Sequence, residues 1–222
     1  MTDYEAMVEQ RYRSVLGPGD ACIDVGAHVG RHTFPMAECV GRHGHVFAFE
    51  PIPALASALI ERTKTNEEIL VTECALSDED GVSTFIIVNE SPGYSGLRER
   101  NYDSPVTTRK IDVQTLTLDG MLHRLPIIRY IKIDCEGAEL HVLRGSRALI
   151  AKYRPIISFE CGDSSLIQYE YSASDIFAFF ESLNYEIFSI HGTRLNRTEF
   201  IQASASQQFW DYVADPRSET VG

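Results

Sequence analysis

The sequence predicts an α/β fold: a mostly parallel sheet of roughly seven strands, helices on both faces, an antiparallel last strand and a β insertion after strand 3. Three observations carry this reading. Short apolar runs alternate with longer amphipathic segments over residues 21–76 and again over 117–190, the pattern of parallel strands joined by right-handed helical crossovers. Two β-rich runs, 82–88 and 106–116, interrupt the alternation with no helix between them. The last two strands are joined by residues 191–207, which read as too polar for a crossover helix, so the final strand is expected to return beside its predecessor in the opposite direction.

Residues 2–16 predict a helix with Tyr4, Met7, Tyr12 and Val15 on its apolar side, closed by Gly17-Pro18-Gly19. Residues 1–19 thus read as a cap, offering either a lid or a homo-oligomer surface. A strand at 21–25, a helix at 30–40, a strand at 45–50, a helix at 53–66 with Pro53 at its first position, and a strand at 69–76 follow. Ser77 to Gly81 reads as a turn. Residues 89–105 have no periodicity, and a segment this long is a candidate substrate loop. The chain continues with a short helix at 117–123, a strand at 127–133, a helix at 137–152, a strand at 155–160, a helix at 173–183 and strands at 185–190 and 208–213. At 222 residues one domain over 1–222 is expected, burying roughly 70% of its unfolded surface.

Composition narrows the partners. The chain is 44% hydrophobic and 23% charged, ordinary for a globular domain, and its net charge of -12 argues against nucleic acid, which selects basic faces. Five cysteines, Cys22, Cys39, Cys74, Cys135 and Cys161, form an odd set without a CxxC pair. Four lie in or beside predicted strands, where a reduced thiol packs as a small hydrophobe, so a reduced, cytoplasmic setting is expected. No basic-then-apolar leader and no apolar run near the about 20 residues of a membrane span are visible, so a soluble chain is expected.

The chemistry gathers at strand ends. Ala21-Cys-Ile-Asp-Val25 runs into Gly26-Ala27-His28-Val29-Gly30, a strand that stops in a glycine turn, where the backbone can approach a ligand. The turn lacks the G-x-G-x-x-G of dinucleotide sites, since position 28 is His and position 31 is Arg. It suits instead a cofactor with a charged methionine tail: Asp24 can anchor the turn and approach an ammonium, and turn amides can meet a carboxylate. Glu50, followed by Pro51, ends the second strand and can accept both hydroxyls of a ribose; charged hydrogen bonds of this kind contribute about 1.5–3 kcal/mol each. Ala75, Leu76 and Ser77 end the third strand and leave space for an adenine ring, although a plain turn explains them equally well.

The fourth acidic strand end, Ile131-Lys-Ile-Asp-Cys-Glu-Gly-Ala-Glu139, gathers three carboxylates and one ammonium. Lys132 and Asp134 share a strand face, and a lysine inside an apolar strand is expected to meet a carboxylate. Glu136 lies past the strand end and is expected to face the cleft, while Glu139 reads more readily as a helix cap.

DVGAHVG (24–30), FAFEP (47–51), ALSDEDG (75–81), VQTLTLDGML (113–122) and IKIDCEGAELHVLRG (131–145) together resemble the successive motifs of FkbM-type S-adenosylmethionine-dependent methyltransferases. The similarity spans residues 20 to about 160; the last sixty residues match only in strand pattern. The resemblance implies a Rossmann-like class I methyltransferase that uses S-adenosyl-L-methionine to methylate oxygen, usually a hydroxyl on a sugar, glycolipid or natural product. It implies that Asp24, Gly26 and Gly30 hold the methionine part, Glu50 the ribose and Ala75–Ser77 the adenine. His28 stands where asparagine is usual and Cys135 where valine is usual, which leaves the polar contact at position 28 open.

For such a transfer Glu136 is the first candidate for the general base and His28 the second, with Asp134 orienting the cofactor amine or the acceptor. Asp134, Glu136 and Glu160 offer an alternative divalent-metal set, but the acids are explained by the cofactor and no metal is assigned. His32, His43, His45, His123, His141 and His191 receive no role. Arg98, Arg100, Arg194 and Arg197 lie in two polar loops expected to overhang the site; they read more readily as solvated than as contacts to an acidic sugar or phosphate on the acceptor. The competing readings are an NAD-dependent oxidoreductase, opposed by the missing middle glycine and the absent tyrosine–lysine pair, and a non-catalytic cofactor-binding scaffold.

Overall fold

A computed structural model describes residues 3–99 and 105–217. Strands β1 (Ala21–Val25), β2 (His45–Phe49) and β3 (Ile69–Thr72) alternate with helices α1 (Tyr4–Arg13), α2 (Thr33–Val40) and α3 (Pro53–Thr63). A second, three-stranded sheet follows: β4 (Ala75–Leu76), β5 (Gly81–Val88) and β6 (Thr108–Leu116), in the order β4-β6-β5. The chain then runs through α4 (Leu118–Met121), β7 (Ile128–Ile133), α5 (Glu139–Arg144), α6 (Arg147–Tyr153), β8 (Ile156–Glu160), α7 (Asp163–Leu166) and α8 (Ala173–Ser182). It ends with β9 (Tyr185–Ser189), β10 (Arg194–Leu195), α9 (Arg197–Ala205) and β11 (Asp211–Pro216).

The main sheet has the order β10-β9-β11-β8-β7-β1-β2-β3. Strands β3, β2, β1, β7 and β8 are parallel, and β11 inserts antiparallel between β8 and β9. This is the expected seven-strand arrangement of a class I methyltransferase plus a two-residue edge strand. Successive connections leave β1 in opposite directions, toward β2 and β3 first and toward β7 and β8 later, so the topological switch lies at β1, where open α/β sheets bind ligands beyond the strands' carboxyl ends.

Period-two alternation divides the core. Ile23, Ile131 and Phe159 face the cluster built with Leu143, Ile150 and Phe180, whereas Cys22, Val46 and Tyr130 face the one that holds Val8, Tyr12 and Leu16 from the N-terminal segment and Met36 and Val40 from α2. The buried stripe of α1 is therefore Val8 and Tyr12, and of the expected apolar side only Tyr12 is fully enclosed.

Four expectations are corrected. Residues 191–207 do contain a helix: the polar α9 is started by a reciprocal capping box between Asn196 and Glu199 and anchored by buried Phe200 and Ala203. The run 69–76 breaks after Thr72, so that Ala75 and Leu76 leave the main sheet to pair with β6. The helix over 137–152 breaks at Gly145, where a Cβ would lie 1.9 Å from the Ser77 carbonyl oxygen. The last strand sits at 211–216 because residues 206–209 close the turn after α9. All five cysteines are free, as expected of reduced thiols. Among the described residues, no helix is long and apolar enough to cross a membrane.

Candidate active site

A cavity of about 260 Å³ opens at the carboxyl ends of β1, β2 and β7. Its first wall is the turn after β1. Gly26 and Ala27 donate their N–H groups to the Phe49 carbonyl, each at 3.0 Å, which ties the turn to β2. Gly26 adopts φ +77° and a Cβ there would lie 1.9 Å from the Asp134 carbonyl oxygen, so only glycine lets the β1 and β7 ends close together. His28 follows at φ 49°, its N–H donating to Glu50 Oε2 at 2.8 Å.

Glu50 is 3% exposed and forms the second wall. Its Oε1 accepts from the Ile52 N–H at 2.8 Å, so the carboxylate braces the turns on both sides of itself. Burial raises its carboxyl above the ordinary range, and the N–H groups of Ile52 and His28 oppose that rise. Burial likewise holds the His28 imidazole below its usual value, against the pull of Asp134, and its Nε2 is buried in the cavity wall without a hydrogen-bond partner.

The third wall comes from β7. Lys132 sits in β7 directly opposite Asp24 of β1. Its Nζ lies 3.6 Å from Asp24 Oδ1 and 3.2 Å from Asp134 Oδ2. Burial works against the ammonium charge, but the charges of Asp134 and Asp24 outweigh it and hold the lysine protonated above its ordinary range. Beyond Asp134, Glu136 takes φ 57° and lines the cavity. Glu139 pins this turn: its Oε1 accepts from the N–H groups of Cys135 (3.1 Å) and Gly137 (3.3 Å), while the Tyr171 hydroxyl donates to the Gly137 carbonyl. Glu139 is therefore a brace for the acidic turn rather than a simple helix cap, and burial pushes its carboxyl up to about 7 against those N–H groups.

The insertion and the following loop close the rest. Ile52, Ala75 and Phe85 form an apolar cluster with Leu97 packed on it, and all four line the cavity. Residues 92–95 of the expected substrate loop line it too. Charged and titratable groups line it as well, with Arg31, His32 and Lys132 acting on Glu5 and Lys132 paired to Asp134. The lining therefore combines an apolar cluster, a charged group and a further carboxylate, Glu50.

Of the expected site residues, Gly26, Ala27, His28, Glu50, Pro51, Ala75, Leu76, Asp134 and Glu136 line this one cavity. Three do not. Asp24 is wholly enclosed, its Oδ2 accepting from the Thr33 hydroxyl at 2.6 Å while its Oδ1 faces Lys132, so the lysine stands between this acid and any ligand. Gly30 is required by helix packing, since a Cβ would meet Phe34 at 2.7 Å and Leu59 at 2.8 Å. Ser77 turns away beyond Leu76 into a neighbouring hollow lined by Asp78 and His141. His32, given no role from sequence, lines the cavity, as does Glu5. His32 follows the glycine turn directly and was findable on that ground; nothing local marks Glu5.

The expectation that the arginine-bearing loops overhang the site with these side chains is also corrected: Arg98, Arg194 and Arg197 do not line the cavity. Arg194 in β10 and Arg197 at the start of α9 lie at the β10 edge of the sheet, engaged by Glu186 and Glu181, and Arg98 lines the neighbouring hollow; Arg100 falls outside the described residues. Asp134, Glu136 and Glu160 each bring one carboxylate oxygen within 4.8 Å of the others, a hard oxygen donor set. Lys132 is already paired with Asp134, and the acids gathered at the strand ends are accounted for by that pair and the cofactor reading.

The sequence profile of the methyltransferase FkbM domain matches residues 24–187. Methyltransferase 1 of Beauveria bassiana is 26% identical over 161 residues, 64% of this chain and 64% of that protein. The hexuronic acid methyltransferase AglP of Haloferax volcanii is 29% identical over 129 residues, 57% of this chain and 49% of that one. The match thus spans less than two thirds of either relative's own length. The crystal structure of methyltransferase FkbM from Methylobacillus flagellatus superposes with a TM-score of 0.53 at 16% identity, over 96% of this chain and 55% of that one, a likeness of fold. With the motifs ordered along residues 24–187 and the sheet carrying their ends to one cavity, the chain belongs to the methyltransferase FkbM family.

Proposed function

We propose that this chain is an S-adenosyl-L-methionine-dependent O-methyltransferase acting on a hydroxyl of a small acceptor, such as a sugar, glycolipid or natural product. The observation that carries the reading is that one cavity is lined by an apolar cluster, the Glu50 carboxylate and a charged group. A nucleoside bearing an amino-acid tail needs those three environments. Ile52, Ala75, Phe85 and Leu97 would hold the adenine, Glu50 the ribose diol, and the Gly26–His28 turn with Asp134 the methionine part. The likeness to a hexuronic acid methyltransferase supports a sugar as the acceptor.

When bound, the cofactor supplies an electrophilic methyl group. The protein's part is to align an acceptor oxygen with it and to remove the hydroxyl proton; alignment is worth about 7–11 kcal/mol and a general base roughly 10²–10⁴-fold. Glu136 is the proposed base. It is held in the left-handed region although it is not glycine, and such strain persists where surrounding structure enforces a functional geometry. Asp134, held by Lys132, orients the amine or the acceptor. His28 is the second reading for the base, favoured by its buried, unpartnered Nε2 and by an imidazole that burial keeps neutral.

Calorimetric titration with S-adenosylmethionine, S-adenosylhomocysteine and NAD tests the cofactor, and labelled-methyl incubation with hydroxylated acceptors tests turnover. The expected result is binding of both methionine cofactors, at least tenfold weaker in Glu50→Ala, and acceptor products heavier by CH₂. Binding of NAD alone overturns the reading. Binding of the methionine cofactors without turnover on any acceptor favours the scaffold. A pH profile of turnover separates the bases: Glu136→Gln at the wild-type rate removes Glu136 from the role.

A further inference from the structure

We infer that the N-terminal helix is a working wall of the cofactor pocket, with Glu5 as an acceptor for the α-ammonium of the methionine moiety. This rests on the cofactor reading proposed above. Glu5 lies in α1, ahead of the family-matched span 24–187, yet it lines the same cavity as the β1 turn and Asp134.

Glu5 is held there by a chain of enclosed groups. His32, 3% exposed, meets Glu5 Oε2 through Nε2 and the Tyr12 hydroxyl through Nδ1 at 3.3 Å, and Tyr12 is itself fully buried. A glutamate on a helix surface ordinarily gains its solvation from water and keeps its rotamer freedom. Here two core side chains spend their hydrogen-bonding capacity on orienting it. The hydrogen bond from His32 lowers the Glu5 carboxyl below its ordinary value, and the nearby Lys132 and Arg31 charges act in the same direction, so the group stands at the cavity as an anion.

Of the three acids grouped around Lys132, Glu5 has the most exposed side chain, and it would take the ammonium beside Asp134. Asp24 is enclosed behind Lys132, and Asp134 is already engaged by the Lys132 ammonium at 3.2 Å. Glu5 remains 56% exposed at its side chain and lines the cavity, so a ligand cation there can reach its carboxylate. Arg31, 45% exposed and hydrogen-bonded to Glu9 on the same helix, places a guanidinium in the same wall, suited to the α-carboxylate. Both poles of an amino-acid zwitterion thereby meet side chains that α1 supplies or positions. Tyr12 and His32 are positioning residues in this arrangement.

The test uses the full chain and two probes: S-adenosylhomocysteine, and 5′-methylthioadenosine, which shares the nucleoside and thioether but lacks the amino-acid group. Affinities are read by calorimetry for wild type, Glu5→Gln and Glu38→Gln, the last removing an acid of α2 that does not line the cavity. The expected result is S-adenosylhomocysteine binding weakened about tenfold in Glu5→Gln, the loss of one charge-assisted contact at a partly exposed site, with 5′-methylthioadenosine binding unchanged and Glu38→Gln neutral for both. Unchanged S-adenosylhomocysteine affinity in Glu5→Gln, or equal losses for both probes, overturns the assignment. If the wild-type chain binds neither probe, the cofactor reading fails and the assignment falls with it.

Discussion

Replacing Glu139 by glutamine separates its bracing role from its charge. The carboxyl is 1% exposed, titrates near 7 in the fold and has an ordinary value of 4.5 when the chain is unfolded. An acid whose folded value is raised binds its proton more tightly in the fold, so its ionisation opposes folding. The penalty is absent below pH 4.5, grows as the unfolded chain ionises first, and reaches its limit of about 3 kcal/mol above pH 7. Glutamine keeps an oxygen for the N–H groups of Cys135 and Gly137 but has no proton to lose. Glu139→Gln is therefore expected to gain on the wild type as pH rises, the stability difference widening by about 2 kcal/mol between pH 5 and pH 7.5. Urea unfolding followed by far-ultraviolet circular dichroism at several pH values measures this, and groups common to both proteins cancel in the difference. Parallel stability curves across that range would show that the carboxyl is not held protonated by burial and would refute the reasoning.

Three further outcomes are expected. Gly26→Ala places a Cβ against the Asp134 carbonyl in a left-handed conformation that costs about 1–2 kcal/mol on its own, so its melting temperature should fall well below that of Gly41→Ala, where φ is +61° and no atom stands within 4 Å; equal melting temperatures would contradict the packing argument. Lys132→Met strands the buried Asp24 charge and should lose about 3–5 kcal/mol in denaturant unfolding, with Asp24→Asn added to it recovering a large part. Recovery by Asp24→Asn would be absent if the pair were not coupled. Methyl transfer is expected to survive exhaustive chelation, since Lys132 already pairs with Asp134 in the acidic trio; activity lost to chelator and restored by magnesium would reassign Asp134, Glu136 and Glu160 to a metal.

What the sequence revealed of the site follows from how its residues are encoded. Residues 24–30, 47–51 and 131–139 each bring a strand and its terminal turn within one short stretch, so alternation and glycine placement were enough to put Gly26, Glu50, Asp134 and Glu136 on a common rim. Alternation also brought Lys132 and Asp134 to one face, as the 3.2 Å pair confirms. It does not reveal depth along a strand. Asp24 precedes the turn by two residues and so lies within β1, opposite Lys132, where it serves the lysine rather than the cavity. Contacts between elements far apart in the chain were illegible for a related reason: Glu5 reaches the cavity because α1 packs across α2, and Phe85 and Leu97 because the second sheet packs against Ile52 and Leu55. The polar stretch 191–207 misled because average polarity hides a capping box, whose information lies in two positions.

The two strand ends that carry the proposed bases share one construction. His28 and Glu136 both occupy the left-handed region, which costs a residue with a Cβ about 1–2 kcal/mol, and both line the cavity. In each turn a buried carboxylate accepts backbone N–H groups: Glu50 takes that of His28, and Glu139 takes those of Cys135 and Gly137 on either side of Glu136. Each acid is raised by burial and sits where the turn would otherwise relax. The two braces are not equivalent, because Glu50 lines the cavity and can also meet a ligand, whereas Glu139 is sealed behind the turn and its second oxygen has no partner. Substituting Glu50 should therefore disturb binding and His28 together, while substituting Glu139 should loosen Glu136 and leave nucleoside affinity intact. That asymmetry separates the side of the cavity that holds a cofactor from the side proposed to take the proton.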